Sequence, residues 1–343
     1  MPLLIFGGQR SHESQILVHH ARCSSIPSHA SKSDPGSADS MDTRALSETL
    51  KLVFNLIQFY PNRSLSFRIL LHPILSLLQA LQITSDPLQA PLIYVINVLL
   101  NIELEPANDD SHVDANEIQE DILFPAERPN LHTDRLVEIL SGAVESYEDD
   151  ALESKAIPLV TLIRRVVEIA PEGARKLLAS SLLPSDTERD QPLGTSASLA
   201  SKLLRLSSTP AAPQVREGLS SLLFELSDKD PSTFVRNVGY GYASGYLMSH
   251  KIPVPAASLG EDVGAKVTNV DGLEINPTTG QRRDKEPPDM GTEMTEEEKE
   301  REAERLFVLF ERLKSTGVMN VVNPVEKAAR EGRLEEVEDD DSE

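Results

Sequence analysis

"DPSTFVRNVGYGYASGYL", residues 230–247, decides between two architectures. Gly239, Gly241 and Gly245 crowd together among tyrosines, as in a loop that cradles a phosphate. A dinucleotide fingerprint needs G-x-G-x-x-G directly after a strand and opening a helix. Here Ser244 takes the place of the third glycine, which arrives one residue late. What precedes is helical in character, with Asp230 suited to an N-cap and Pro231 to a first helical position. The glycines therefore fall inside or just past a helix, no strand leads into them, and a nucleotide-binding loop is set aside.

Outward from this stretch the helical reading continues. Leu46, Leu50, Val53, Phe54 and Ile57 fall at i, i+4, i+7, i+8 and i+11, one apolar stripe of an α-helix. "SFRILLHPILSLLQALQI" extends it, with Pro73 marking a break or the first turn of a second helix. "DPLQAPLIYVINVLL" begins on another Asp-Pro start. Further starts fall near residues 132, 153, 174, 196, 213 and 231, and Val215, Leu219, Leu222, Leu223 and Leu226 repeat the stripe. Starts about every 20 residues mean helix pairs of about 40, the period of armadillo or HEAT repeats. A plain bundle would give similar stripes, but so many short helices in series favour a superhelix. The expected fold is an all-α, armadillo/HEAT-like repeat array over residues 44–250.

Two interruptions stand out. Residues 103–130 carry nine carboxylates against one arginine and read as an acidic loop. Residues 251–294 show no helical period and read as a linker. Beyond it, "TEEEKEREAERLFVLFERLKSTG" is a strongly signalled helix. Thr295 and Glu298 have capping-box spacing, Glu297 and Arg301 form an i,i+4 pair, and Gly317 with Val318 fits a Schellman stop. Ala303, Leu306, Phe307, Phe310 and Leu313 make one apolar face. "NPVEKAAREG" follows as a second short helix with Asn323 as cap, closing a helical segment at 295–332, and residues 333–343 form an acidic tail expected to be disordered. The tethered helix either caps the open end of the repeats or engages a partner's groove.

Composition narrows the function. Trp is absent, aromatics make up 4%, and the net charge is −22, which argues against a nucleic-acid partner or an anionic membrane surface. A basic or amphipathic protein partner fits better. Cys23 is the single cysteine, so neither a disulfide framework nor a cysteine-based zinc site is expected. No run approaches the length of a membrane span, so no membrane insertion is expected. Residues 1–43, with nine serines and four of the eight histidines before residue 41, read as a disordered or wrongly assigned segment.

No catalytic constellation emerges. His19, His20 and Cys23 offer metal-type ligands without a fourth partner, and Asp109 with Asp110 lacks calcium-loop spacing. No P-loop, GxSxG or HExxH occurs, so neither cofactor nor metal is expected. A repeat array without such a site is a binding surface. "SKLLRL" puts Lys202 and Arg205 opposite Leu199, Leu203 and Leu206 on one helix; Arg164, Arg165, Arg175, Lys176 and Arg236 are further candidates to meet a partner's carboxylates.

Several stretches together carry a resemblance: "SETLKLVFNLIQFYP", "APEGARKLLASSLLPSDTERDQPLG", "SLASKLLRL", "LLFELSDKDPSTFVRNVGYGYASGYL", "EINPTTG" and "MTEEEKEREAERLFVLFERLKSTGV". In order, from about residue 44 to 338, they resemble the synembryns, particularly fungal ones. The resemblance implies a cytosolic repeat protein that acts as nucleotide-exchange factor and chaperone for heterotrimeric G-protein alpha subunits. It implies a concave repeat surface that takes the alpha subunit's C-terminal helix, and a tethered helix that braces the loosened nucleotide domain. The partner-contacting residues expected on that basis are Lys202, Arg205 and Arg236 on the repeats and Leu306, Phe307, Phe310 and Leu313 on the tethered helix. "NVGYGYASGYL" becomes the last repeat helix, its small residues allowing close helix packing. Synembryns carry further repeats upstream of the block matching residue 44, which this chain is expected to lack, and residues 1–40 resemble nothing in the family. Ser258, with Glu261 three residues on, keeps a minimal acidophilic phosphorylation pattern. The alternative from another class is a solenoid adaptor that binds peptides without altering a nucleotide state.

Overall fold

The computed structural model describes residues 41–105, 121–255, 267–269, 272–287 and 295–316. It divides into two units after Glu286.

The first unit is a helical-repeat body whose helices are α1 (Met41–Phe59), α2 (Leu71–Ala80), α3 (Leu92–Asn101), α4 (Leu131–Ser146), α5 (Asp149–Lys155), α6 (Ile157–Ile169), α7 (Glu172–Leu182), α8 (Leu199–Leu206), α9 (Pro213–Leu226), α10 (Pro231–Val238) and α11 (Tyr240–Ser249). Their order of contact makes two layers. In one, α1 packs on α3, α3 on α6, α6 on α9 and α9 on α11; in the other, α2 packs on α4 and α4 on α7 and α8. Between the layers α2 packs on α3, α4 on α6, and α7 and α8 on α9, which is how an armadillo/HEAT-like array buries a continuous core. Among the described residues the only sheet-type pairings are two isolated bridges, Thr268 with Glu274 and Ile275 with Arg282.

The apolar stripes point where their period says. In α1, Leu46, Leu50 and Ile57 are buried, with Val53 and Phe54 half-buried against them. In α9, Val215, Leu219, Leu222, Leu223 and Leu226 are all buried. Each such leucine removed from water is worth about 2 kcal/mol. A second, smaller core gathers at the C-terminal end around Leu204, Phe224, Phe234, Val238 and Leu247. There Phe224 meets Phe234 edge-on at 5.4 Å, and Tyr246 lies 5.4 Å from Phe224.

Element starts depart from the sequence reading in three places. Helix α1 already includes Met41 to Thr43, which the reading assigned to the N-terminal segment. The Asp86-Pro87 start is not a helix start: α3 begins at Leu92, and Asp86 instead accepts from the Tyr147 hydroxyl and from Lys155 Nζ at 3.1 Å. The helix expected near 153 is two helices, α5 and α6, broken at Ala156. Pro73 sits in the first turn of α2, where a missing amide costs nothing.

The largest departure is the stretch read as a linker. Residues 272–287 form a strap on the body, whose turn inserts at the α10–α11 junction. Tyr240 and Gly241, the first two residues of α11, donate their amides to Pro277 O at 2.7 Å and Thr278 O at 3.0 Å. Orphan donors of a helix N-terminus are thus satisfied by main-chain carbonyls from about 40 residues downstream. Gly239, at φ +81°, lies against the same turn; a Cβ there would stand 3.0 Å from Thr278 O. The glycines of 239–241 make room for the strap rather than for another helix, and the helix N-terminus that a phosphate would need is occupied by the chain itself.

Between α9 and α10 the chain makes a strained turn. Asp228 and Lys229 both take left-handed φ, +60° and +56°, while Lys229 donates its amide to Phe224 O at 3.0 Å. A non-glycine residue in that region is held there at a cost of about 1 kcal/mol. Lys229 Nζ reaches only 4.0 Å from the exposed Glu168 and so returns little. Lys229→Gly is therefore expected to stabilise the protein by about 1 kcal/mol, read as an upward shift in thermal midpoint with unchanged helix content; a downward shift would refute the strain.

Candidate partner-binding surfaces

Several of the basic residues expected to meet a partner, such as Arg165 and Arg175, have internal work, as does Arg135, which the sequence did not single out. Arg135 on α4 donates Nε to Leu78 O at 3.1 Å and another nitrogen to Leu81 O, the last carbonyls of α2. Arg165 on α6 donates to Leu100 O and, at 3.4 Å, to Ile102 O, at the end of α3. Arg175 on α7 donates to Glu225 O at 2.7 Å, at the end of α9. A helix leaves its last carbonyls without partners, and a guanidinium fork from the neighbouring helix satisfies them while placing positive charge at the negative end of the dipole. Arg164 pairs with Glu225 at 2.7 Å, and Lys176 with Glu172 at 2.6 Å on the surface.

Arg189, which the sequence reading passed over, is the extreme case. It is 4% exposed. Its guanidinium donates to Arg236 O at 3.0 Å and Asn237 O at 3.2 Å, closing α10, and to Gly280 O at 2.9 Å in the strap. Nε lies 3.2 Å from Asp186 Oδ1, an ion-pair distance without hydrogen-bond alignment. Burial pulls its pKa down from the ordinary arginine value, and Asp186 opposes the shift. The strap returns the contact: Arg282 donates its amide to Arg189 O at 2.8 Å, Leu193 its amide to Thr279 O at 3.1 Å, and Gln281 Nε2 donates to Asp190 O at 3.1 Å. Gly280, at φ +70°, is required here, because a Cβ would collide with the Leu193 side chain.

Beside it, Glu188 closes a capping box with Ser185. It accepts from Ser196 Oγ at 2.7 Å, from Ser198 Oγ, and from the Ser185 amide at 3.0 Å. Burial pushes its carboxyl up, but the serine hydroxyls and the Ser185 amide outweigh it and hold the pKa below the ordinary value.

The residues singled out for a partner are spread over three places. Lys202 and Arg205 come together on the rim of a shallow cleft shared with Tyr147, Asp149 and Thr209. Lys202 Nζ is 3.3 Å from the exposed Glu145, and Arg205 donates to Gly194 O and, at 3.1 Å, to Ser196 O. Arg236 stands apart on α10, donating to Thr233 Oγ1 at 3.3 Å. Leu306 and Phe307 lie in the second unit, on α12 (Glu296–Thr316), 48% and 49% exposed, with Val308 and Leu309 equally open. Phe310 and Leu313 are on the same helix, but their side chains lie outside the described residues, as do Ser258, His19, His20, Cys23 and everything beyond Thr316. At the start of α12, Thr295 donates its amide to Glu298 Oε2 at 3.1 Å, one half of the expected capping box. Arg301 donates Nε to Glu297 O at 3.1 Å, a main-chain contact where a side-chain pair was expected.

Among the described residues no cluster of three His, Cys, Asp or Glu side chains could hold a metal ion, and no helix is long and apolar enough to cross a membrane. What the surface offers is a cleft on the body rimmed by Lys202 and Arg205, and exposed apolar residues on α12.

Two outcomes follow from this geometry. Arg165→Met is expected to cost about 2–3 kcal/mol, because it strands buried carbonyls, whereas Lys176→Met removes only a solvated pair and costs under about 0.5 kcal/mol; equal losses on urea unfolding would contradict the capping role. Glu188 has a lower pKa folded than unfolded, so its contribution is complete above about pH 4.3 and is lost as pH falls through the folded value. Glu188→Gln is expected to lower the thermal midpoint at pH 7 and to lose less than the parent between pH 5 and 3; parallel pH curves would exclude it.

Comparison with known proteins matches this arrangement to one group. A family model described as guanine nucleotide exchange factor synembryn matches residues 9–333. The match takes in most of the N-terminal stretch that had resembled nothing in the family. The chain is 34% identical over 169 residues to a synembryn-like chaperone of Schizosaccharomyces pombe, covering 47% of this chain and 32% of that protein. It is 30% identical over 194 residues to chaperone Ric-8A of Xenopus laevis, covering 54% and 34%, and 27% identical over 198 residues to chaperone Ric-8A of Macaca fascicularis, covering 56% and 36%. The chain spans about a third of the length of these curated relatives. With a two-layer helical-repeat body and a match running from residue 9 to 333, the chain belongs to the synembryn family.

Proposed function

We propose that this protein is an exchange factor and folding chaperone for heterotrimeric G-protein alpha subunits. The observation that carries the reading is the exposure of Leu306 and Phe307, 48% and 49%, with Val308 and Leu309 also open, on a helix whose other residues are chiefly charged. Large apolar side chains left open to water on a charged helix are suited to a partner's apolar groove. The family's description as a guanine nucleotide exchange factor supports a partner that binds guanine nucleotide.

The action needs no bond chemistry. The body takes an amphipathic helix of the alpha subunit, with Lys202 and Arg205 on the cleft rim meeting its carboxylates. α12 covers apolar surface that the alpha subunit exposes when its nucleotide domain loosens. A protein that binds the empty state more tightly than the GDP state lowers GDP affinity by that same factor, by linkage. The same preference for a loosened state shields a nascent alpha subunit from aggregation, so exchange and chaperoning are one binding property.

The test is GDP release from a purified alpha subunit with and without the chain. Release is expected to accelerate, and Leu306→Asp with Phe307→Asp is expected to remove at least a tenfold part of that acceleration, since a buried charge costs well over 1.4 kcal/mol. Binding without any change in release would favour the adaptor reading. Unchanged activity in the double variant would remove α12 from the mechanism.

A further inference from the structure

The strap lies on the path between the two units, and the way it is held is unlike the rest of the body. It buries one large apolar side chain, Ile275, which belongs to neither core cluster, while Leu273 is 41% exposed. Its attachment is polar and mostly main-chain: Pro277 O, Thr278 O and Thr279 O accept from the body, Gly280 O accepts from Arg189, and Gln281 and Arg282 donate back. The chain on its N-terminal side is already anchored, since Ile252 and Val254 pack on the second core and Ile252 donates its amide to Leu247 O at 2.9 Å. The strap is therefore a separate attachment made after the repeats are complete.

Its position sets how far α12 can travel. With the strap docked, the chain leaves the body at Glu286, about 9 residues before Thr295. Such a length spans at most about 30 Å fully extended. With the strap released, the chain leaves near Val254, about 40 residues before Thr295, and can span about 140 Å. Effective concentration falls roughly as the −3/2 power of tether length, so this change dilutes α12 about tenfold around anything bound to the body.

We propose that the strap is a tether clamp. By fixing the chain on the body at 272–286, some 30 residues beyond Val254, it keeps the exposed apolar residues of α12 close to a partner held by the repeats and turns two modest contacts into one bivalent grip. The consequence for a partner rests on the function proposed above; the clamp itself does not.

Two measurements separate them. Without any partner, donor and acceptor dyes are placed at Met248→Cys and Glu304→Cys in a Cys23→Ser chain. Gly280→Ala, which drives a Cβ into Leu193, is expected to shift the distance distribution outward; an unchanged distribution overturns the clamp. With a purified alpha subunit, insertion of about 30 Gly-Ser residues directly after Glu286 leaves every strap contact in place and is expected to weaken binding about tenfold. Gly280→Ala should weaken it by the same factor, and neither change should matter once Leu306→Asp and Phe307→Asp are present. An insertion without effect, or a Gly280→Ala loss that persists in the α12 double variant, overturns the clamp while the proposed function stands. Absence of any binding by the parent chain overturns the proposed function, and the dye distances then decide the clamp alone.

Discussion

A helix that ends inside a stack of helices leaves carbonyl oxygens pointing at protein instead of water, and an array built from many short helices meets that problem at every repeat. Here the answer recurs. Arg135, Arg165, Arg175 and Arg189 each reach from one element to the closing carbonyls of another helix. Guanidinium suits the task because its planar fork offers several donors, carries charge opposite to the helix end, and cannot lose its proton. Without those four contacts the apolar layers would still stack, but each stacked end would carry unpaired oxygens.

This use of arginine bears on how an acidic protein presents itself to a partner. With a net charge of −22, few cations are available, and the ones best placed on the helices are spent inside. Lys202 and Arg205 stay on a cleft rim, the former beside Glu145 and the latter holding the loop at Gly194 and Ser196. Under the proposed function, selectivity for a partner rests on shape and on apolar contact as much as on charge.

The C-terminal block shows how strongly a structure can tie down a segment with no regular secondary structure. The Arg189 guanidinium, Leu193, the α10–α11 junction and the turn at 277–280 interlock, mostly onto main-chain groups, with glycine where two backbones approach too closely for a Cβ. Close approach of two main chains, and not a phosphate, is what the glycines near residue 240 serve.

The α-helical repeat could be read from the chain alone, because the 3.6-residue period of stripes such as Leu46, Leu50 and Ile57 is a local property that survives without knowing the neighbours. So could the Asp230 cap, which accepts from the Thr233 amide at 2.7 Å, and the helix α12. The strap and the arginines could not. Residues 272–287 have no period, since their partners are carbonyls and amides far away in sequence, and main-chain groups are the same in every residue. Arg189 is likewise silent in the text: nothing in "SDTERDQ" distinguishes a guanidinium turned inward onto Asn237 and Gly280 from one in water. Sequence by itself determined that the chain is helical and which faces are apolar; only tertiary structure decided which polar groups meet and where several helices begin, because hydrogen-bond partners are chosen by proximity in space and not by order along the chain.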